Sequence, residues 1–117
     1  MKEITSSEFE SEVLRSDVPV LVDFYTEGCG PCRQMSPILG EIEAASSGVL
    51  KVVKMDASAD AQFSASFQIS AVPTLLLFHR GQQLGQVMGA RSKRDLKRWI
   101  DESLGAGGPR AKGQGGA

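Results

Sequence analysis

The sequence predicts a single α/β domain, and three observations indicate this class. The chain has 117 residues, which is the usual length of one domain. Short apolar runs alternate with segments whose apolar residues recur at helical spacing. The runs contain almost no polar residues, as expected of strands that are covered on both faces of a sheet. Strands and helices in alternation are typical of an α/β fold.

The first elements are predicted to be a short helix and a buried strand. Ser7 and Glu10 have the spacing of a capping box, so a helix should begin there and end near Asp17 and Pro19. Residues 20–25 are β-branched, aliphatic or aromatic apart from Asp23, and they predict a strand. Asp23 is the anomaly in this run, because a buried carboxylate is costly when it is charged.

A helix, a strand and another helix should follow. Pro31 suits the first turn of a helix, and Pro37 should kink that helix from within. Residues 50–55 form an apolar run that predicts a second buried strand. Small and polar residues over about 59–67 predict a short helix before the next apolar run.

The last part of the domain predicts a hairpin and a helix. Residues 72–79 read as a core strand opened by a proline, and the turn 80–82 leads into a strand over 83–88. So short a link implies antiparallel pairing. A final helix should begin near Ser92 and continue to Leu104, with its apolar residues on one face.

Composition limits the domain and its partners. Residues 105–117 contain six glycines and no strongly apolar residue, so we expect a folded domain over 1–104 followed by a flexible Gly-rich tail.

The formal charge is −1 for the whole chain and about −3 for residues 1–104, which argues against nucleic-acid and membrane partners. The start of the chain shows no run of signal-peptide length, so we expect a cytoplasmic protein.

Two cysteines dominate the chemistry. With one histidine they are too few for a structural zinc site, and they cannot ligate an iron–sulfur cluster. Cys29 and Cys32 flank Gly30-Pro31 at the predicted junction of strand and helix. The N–H groups and the dipole at a helix N-terminus favour a thiolate. Cys29 should therefore attack disulfides, and Cys32 should resolve the mixed disulfide.

Two plainer interpretations of the pair are disfavoured. Half of a zinc site lacks its remaining ligands, and a purely structural disulfide is unusual in a cytosolic protein. So short a ring also contributes little loop-closure entropy.

The sequence resembles the thioredoxin family from about Ser7 to Leu104. The matching motifs follow in the family's order and spacing: Val22-Asp23-Phe24-Tyr25, Cys29-Gly30-Pro31-Cys32, Pro37-Ile38-Leu39, Val72-Pro73-Thr74-Leu75 and Gly89-Ala90. The resemblance implies a thioredoxin fold, with a central mixed β-sheet of about five strands flanked by about four helices. It also implies a short first strand near Lys2 to Thr5 and a cis bond between Val72 and Pro73.

The resemblance further implies a protein-disulfide reductase that needs no cofactor or metal beyond the Cys29–Cys32 disulfide. Its expected partners are disulfide-containing proteins and a thioredoxin reductase as electron donor, and it is expected to act as a monomer. Asp23 would accept the proton of Cys32, and Lys54 would tune Asp23. The implied substrate-binding residues are Gly28, Gly30, Pro31, Val72, Pro73 and Gly89.

One residue departs from the family's pattern. Thioredoxins usually carry Trp immediately before the first cysteine, and this chain has Gly28 there. The change removes apolar contact area and loosens the backbone beside the nucleophile. It motivates an alternative function, a protein-binding module in which redox turnover is incidental. A third hypothesis, an oxidase or isomerase of disulfides, is disfavoured by Gly30-Pro31 between the cysteines.

Overall fold

The computed structural model describes residues 1–107, and its centre is one five-stranded sheet. The strands are β1 (Lys2–Glu3), β2 (Val20–Tyr25), β3 (Lys51–Asp56), β4 (Thr74–His79) and β5 (Gln82–Met88), and their order across the sheet is β1-β3-β2-β4-β5. Strands β1, β3 and β2 run parallel. Strand β4 is antiparallel to both β2 and β5. The predicted mixed sheet and its terminal hairpin are confirmed.

Three α-helices and an N-terminal helical segment flank the sheet, which confirms the expected thioredoxin-like layering. The helices are α1 (Gly30–Ala45), α2 (Ala61–Ser66) and α3 (Lys93–Gly107). Helix α1 continues through Pro37. Helix α3 is capped by Ser92, whose Oγ accepts the Asp95 N–H at 3.1 Å, and it continues three residues past Leu104. The remainder of the predicted tail, residues 108–117, lies outside the described residues.

The N-terminal helical segment differs from its prediction. It begins as a 3-10 turn over Ser6–Glu8 and continues as a π-helical turn over Glu10–Leu14. The Glu8 carboxylate accepts the Thr5 N–H at 2.9 Å, so the capping box is Thr5/Glu8 and not Ser7/Glu10. Both pairs have the spacing of the motif. The earlier pair starts the segment directly after Ile4, a residue buried in the core.

The hairpin between β4 and β5 turns at Arg80 and Gly81, which have φ values of 55° and 80°. Positive φ at both central residues is the geometry of a type I′ turn, whose twist matches that of the flanking strands. Glycine adopts this conformation without the penalty that Arg80 meets.

Two apolar layers pack on the two faces of the sheet. On one face Val22 and Phe24 pack with residues of the N-terminal segment, and the partly buried Phe63 and Phe67 cover them. On the other face Leu21 packs with residues of α1 and α3. Side chains alternate along a strand, so Asp23 lies on the same face as Leu21, under α1.

Candidate active site

The cysteine pair lies where the sequence predicts it, at the start of α1. Cys29 is the N-cap residue and is disulfide-bonded to Cys32, with 5.3 Å between the two Cα atoms. The Cys29 sulfur accepts the Cys32 N–H at 3.1 Å. Cys29 is partly exposed, whereas Cys32 is only 6% exposed. Of the two sulfurs, Cys29 is thus the one presented to solvent and to helix N–H groups.

Asp23 is buried beneath the first turn of this helix. The residue is 2% exposed, and its Oδ1 atom has no hydrogen-bond partner among the described residues. Burial disfavours the charged carboxylate and raises the pKa of Asp23 to about 6, although the positive charge of Lys54 acts in the opposite direction. A carboxyl group with this pKa exchanges its proton near neutral pH.

Lys54 is brought next to Asp23, but it does not form an ion pair with it. The two residues are register partners on the parallel strands β2 and β3. The Lys54 ammonium lies 5.2 Å from the centroid of the Tyr25 ring, and Tyr25 donates a hydrogen bond to Glu3. None of the ion pairs within residues 1–107 involves Lys54. Its influence on Asp23 is therefore a Coulombic one through space.

A cleft of about 420 Å³ opens beside the disulfide. It is lined by Asp23, Tyr25, Thr26, Glu27, Gly28, Cys32, Arg33, Ser36 and Lys54. Gly28 is exposed, with a φ of +82°, and a Cβ built on it would meet no atom within 4 Å. The predicted residues Asp23, Cys32 and Lys54 thus share one solvent-connected space.

The cleft also contains residues that sequence reasoning did not assign. No sequence motif marks Thr26, Glu27 and Ser36 as residues of a site. Only the packing of α1 over the end of β2 brings them together in the cleft. Arg33 follows the second cysteine directly, and this adjacency is the one local signal in the set.

The loop before β4 lies at the same end of the sheet. The Val72–Pro73 peptide bond is cis, as the resemblance implies. Thr74, the first residue of β4, is the register partner of Phe24, so the loop adjoins the end of β2 that leads to the disulfide. The Gly89 N–H donates to the Pro73 carbonyl at 2.8 Å and ties the end of β5 to this loop.

Most of the expected substrate-binding positions are accessible. Gly28, Gly30 and Pro31 are exposed, and Val72 and Gly89 are partly exposed, whereas Pro73 is buried. They belong to three short segments, which lie at the start of α1, directly before β4 and directly after β5.

No group of three or more His, Cys, Asp or Glu side chains in residues 1–107 is arranged to hold a metal ion. Within the same range no helix is both long and apolar enough to cross a membrane.

Comparison with known proteins identifies the family. The thioredoxin family profile matches residues 1–102. Thioredoxin of Rickettsia felis is 41% identical over 101 residues, covering 86% of this chain and 96% of that protein. Thioredoxin 1 of a Nostoc species is 41% identical over 102 residues, covering 87% and 95%. A bifunctional thioredoxin reductase/thioredoxin of Mycobacterium leprae is 38% identical over 100 residues, covering 86% of this chain and 22% of that protein.

The matches agree with the site. The relatives' name and the Cys-X-X-Cys pair in disulfide geometry make this protein a thiol-disulfide oxidoreductase that reduces protein disulfides. Its redox-active group is the cysteine pair itself, and an interaction module with incidental chemistry is not favoured. The chain belongs to the thioredoxin family.

Proposed function

We propose that Cys29 is the nucleophile and Cys32 the resolving cysteine of this reductase. The Cys29 thiolate attacks a substrate disulfide, forms a mixed disulfide and releases one substrate thiolate. The Cys32 thiol then loses its proton and attacks the Cys29 sulfur, which releases the second substrate thiolate. The substrate gains two electrons, and the protein is left with the Cys29–Cys32 disulfide.

The order of the two cysteines is supported by their surroundings. Cys29 is the more exposed sulfur and already accepts an N–H at the start of α1, which stabilises negative charge on it. Cys32 is buried, so it needs a local base before it can attack.

We assign the base role to Asp23. The observation that carries this assignment is that Asp23 and Cys32 line the same cleft, while Oδ1 of Asp23 has no other partner among the described residues. A pKa raised to about 6 by burial lets the carboxylate take a thiol proton near neutral pH. Lys54 is proposed to tune this pKa through its charge.

Substrate docking is proposed to use the three segments around the disulfide. Gly28, Gly30 and Pro31 would contact the substrate beside the cysteines. Val72, Pro73 and Gly89 would contact it from the loop before β4 and the end of β5. Val72 is partly exposed, which suits backbone pairing with an extended substrate, and such pairing gives affinity with little side-chain selection.

The electron donor, the cellular compartment and the oligomeric state are proposed as well. A thioredoxin reductase would return the two electrons, and the two-part name of the Mycobacterium leprae relative supports this partnership. We also propose that the protein acts in the cytoplasm as a monomer on disulfide-containing proteins.

Insulin reduction with dithiothreitol tests the cysteine roles. Replacing Cys29 by serine should reduce the rate to that of dithiothreitol alone. Replacing Cys32 by serine should leave substrates covalently attached to the remaining cysteine. Exposed Ser47 offers a control, since it lies two residues past the C-terminal end of α1, far from the cysteines, and Ser47→Ala should react like the wild type. Adducts that survive in the Cys29→Ser variant but not in Cys32→Ser would reverse the assignment.

A further inference from the structure

Three charged residues form a row across the parallel part of the sheet. Lys54 on β3 is the register partner of Asp23 on β2 and of Glu3 on β1. Residues that are paired directly project to the same face of a sheet, so a carboxyl group flanks Lys54 on each side. A lysine in this position is expected to form an ion pair. Yet none of the ion pairs within residues 1–107 involves Lys54.

The Tyr25 side chain contacts Lys54 in place of a carboxylate. Tyr25 lies two residues after Asp23 on β2, so it projects to the same face. The Lys54 ammonium lies over the Tyr25 ring, 5.2 Å from its centroid, which is within the about 6 Å over which an aromatic ring attracts a cation. The Tyr25 hydroxyl donates a hydrogen bond to Glu3. Because β3 lies between β1 and β2, the tyrosine extends from β2 across β3 to make both contacts.

These contacts leave the Asp23 carboxyl group without a partner. The residue is 2% exposed, and its Oδ1 atom has no hydrogen-bond partner among the described residues. A buried carboxylate attracts a cation more strongly than an exposed one, because the interior screens charge less than water does. Glu3 is exposed, and exposed ion pairs contribute little. An ammonium group released from the Tyr25 ring is therefore expected to move to Asp23.

We propose that Tyr25 is a positioning residue that holds the Lys54 ammonium over its ring and keeps it from pairing with the Asp23 carboxylate. This inference rests on the proposed function, in which Asp23 is the base for Cys32, and it names the residue that preserves the strength of that base. A carboxylate paired with a lysine is a weaker base, because the positive charge stabilises its ionised form. With Lys54 over the ring, burial holds the pKa of Asp23 at about 6, and Lys54 lowers it only through space.

Other titratable groups lie around the Asp23 carboxyl group. They come from β1, the end of β3, the loop before α1 and α1 itself, and they are Glu3, Asp56, Glu27 and Arg33. Strand β4 places the uncharged Leu75 beside Asp23. The Tyr25 phenol keeps its proton at neutral pH, because burial and the hydrogen bond to Glu3 raise its pKa. Lys54 lowers the pKa of Asp23 through its charge, so a change in the position of Lys54 should move that pKa.

The pKa of Asp23 in two variants tests the role of Tyr25. It is measured by carbon-13 NMR of the Asp23 carboxyl group in oxidised protein, in which the bonded cysteines do not titrate. Tyr25→Leu removes the ring and should lower this pKa by about one pH unit, because an opposite charge at short range lowers a carboxyl pKa by roughly 1–3. Tyr25→Phe keeps the ring and is the matched control, which should stay closer to wild type than to Tyr25→Leu. An Asp23 pKa that is unchanged or raised in Tyr25→Leu would overturn the proposal.

A Lys54→Met background separates pairing from hydration. Removing the ring also admits water to Asp23, and hydration lowers a carboxyl pKa whether or not a lysine is present. Pairing with Lys54 requires the lysine. Tyr25→Leu should therefore produce less than about half of its effect on the Asp23 pKa when Lys54 is replaced by methionine. Equal effects in the two backgrounds would show hydration alone and would overturn the proposal.

A measurement on the wild-type protein does not depend on the folding of any variant. The ring current of Tyr25 should move the proton NMR signals of the Lys54 Cε group upfield of those of Lys97, which is exposed on α3. Coincident signals would place the ammonium away from the ring and overturn the proposal.

Insulin reduction by Asp23→Asn separates this inference from the proposed function. Slow turnover by Asp23→Asn, together with an unchanged Asp23 pKa in Tyr25→Leu, would leave the base assignment standing and remove the role of Tyr25. A lowered pKa in Tyr25→Leu, together with wild-type turnover by Asp23→Asn, would support the placement of Lys54 and overturn the base assignment.

Discussion

Replacing Asp23 by asparagine should change how the stability of the protein depends on pH. The carboxyl group is 2% exposed, and burial raises its pKa from 3.8 to about 6. Below pH 3.8 the group is protonated in both the folded and the unfolded chain, so it contributes no pH-dependent term. Between pH 3.8 and 6 it ionises only in the unfolded chain, which favours unfolding as the pH rises.

The size of the effect follows from the two pKa values. Each pKa unit corresponds to about 1.4 kcal/mol, so the difference between 3.8 and about 6 amounts to about 3 kcal/mol of lost stability above pH 6. The asparagine side chain of the variant cannot ionise and escapes this loss. Its buried amide carries a cost of its own, about 1–3 kcal/mol if it lacks partners, but that cost does not vary with pH.

The measurement is guanidinium unfolding of the oxidised proteins between pH 4 and pH 8, followed by circular dichroism. The free energy of unfolding of Asp23→Asn minus that of wild type should rise by about 2–3 kcal/mol over this range. Asp101→Asn, an exposed substitution on α3, is the control and should run parallel to wild type. A constant difference between Asp23→Asn and wild type would refute the reasoning about desolvation.

The remaining predictions concern packing, backbone and fluorescence. Gly85→Ala should lower the free energy of unfolding by about 1–3 kcal/mol, because its Cβ would lie 3.1 Å from the Trp99 ring; the guanidinium midpoint measures this. Gly40→Ala has open space inside α1 and should stabilise by about 0.5–1 kcal/mol, so loss of stability there would contradict the helix placement. Gly28→Ala should cost about 1–2 kcal/mol in the same assay, because φ is +82°, and a neutral result would exclude that backbone conformation. Trp99 fluorescence should change little on reduction, and a large change would place the indole near the disulfide.

The last prediction depends on where Trp99 lies. Its ring packs against Gly85, which is the register partner of Leu77, and Leu77 is in turn the partner of Leu21. Leu21 is near the start of β2, whereas the disulfide follows the end of that strand. Several residues of strand and two strand spacings therefore separate the only tryptophan from the cysteines.

Gly28 affects the site through the volume that its missing side chain leaves open as well as through its backbone conformation. With no side chain there, the cleft that holds Asp23 and Cys32 is open to solvent. The same glycine that removes apolar docking area thus exposes a part of the site that a tryptophan at this position would be large enough to cover.

Local signals in the sequence were sufficient for most of the fold and for the reactive pair. Strands β2 and β4 are apolar runs, and the Cys-X-X-Cys motif, followed by α1, identifies the redox group. Side chains alternate along β2, so the sequence also places Asp23 on the same face as Leu21. That this face is covered by α1 is known only from the packed structure.

Long-range contacts decided what the sequence left open. The capping box is Thr5/Glu8 although Ser7/Glu10 has the same spacing, and the segment that it starts directly follows Ile4, which is buried in the core. The Lys54 ammonium lies over Tyr25 and does not pair with Asp23. The position of the Lys54 ammonium depends on Tyr25, which lies on the neighbouring strand β2. The pattern of residues along β3 does not reveal this contact.

The cleft is the clearest case of a feature that only the tertiary structure contains. Its walls come from β2, β3, the loop at Gly28 and the first turns of α1, and these segments meet only after the sheet has formed. The sequence by itself determined which two sulfurs react, because a helix N-terminus and a three-residue spacing are local properties. Which side chains share the cleft with Cys32 is a question of open volume, and open volume exists only in the packed chain.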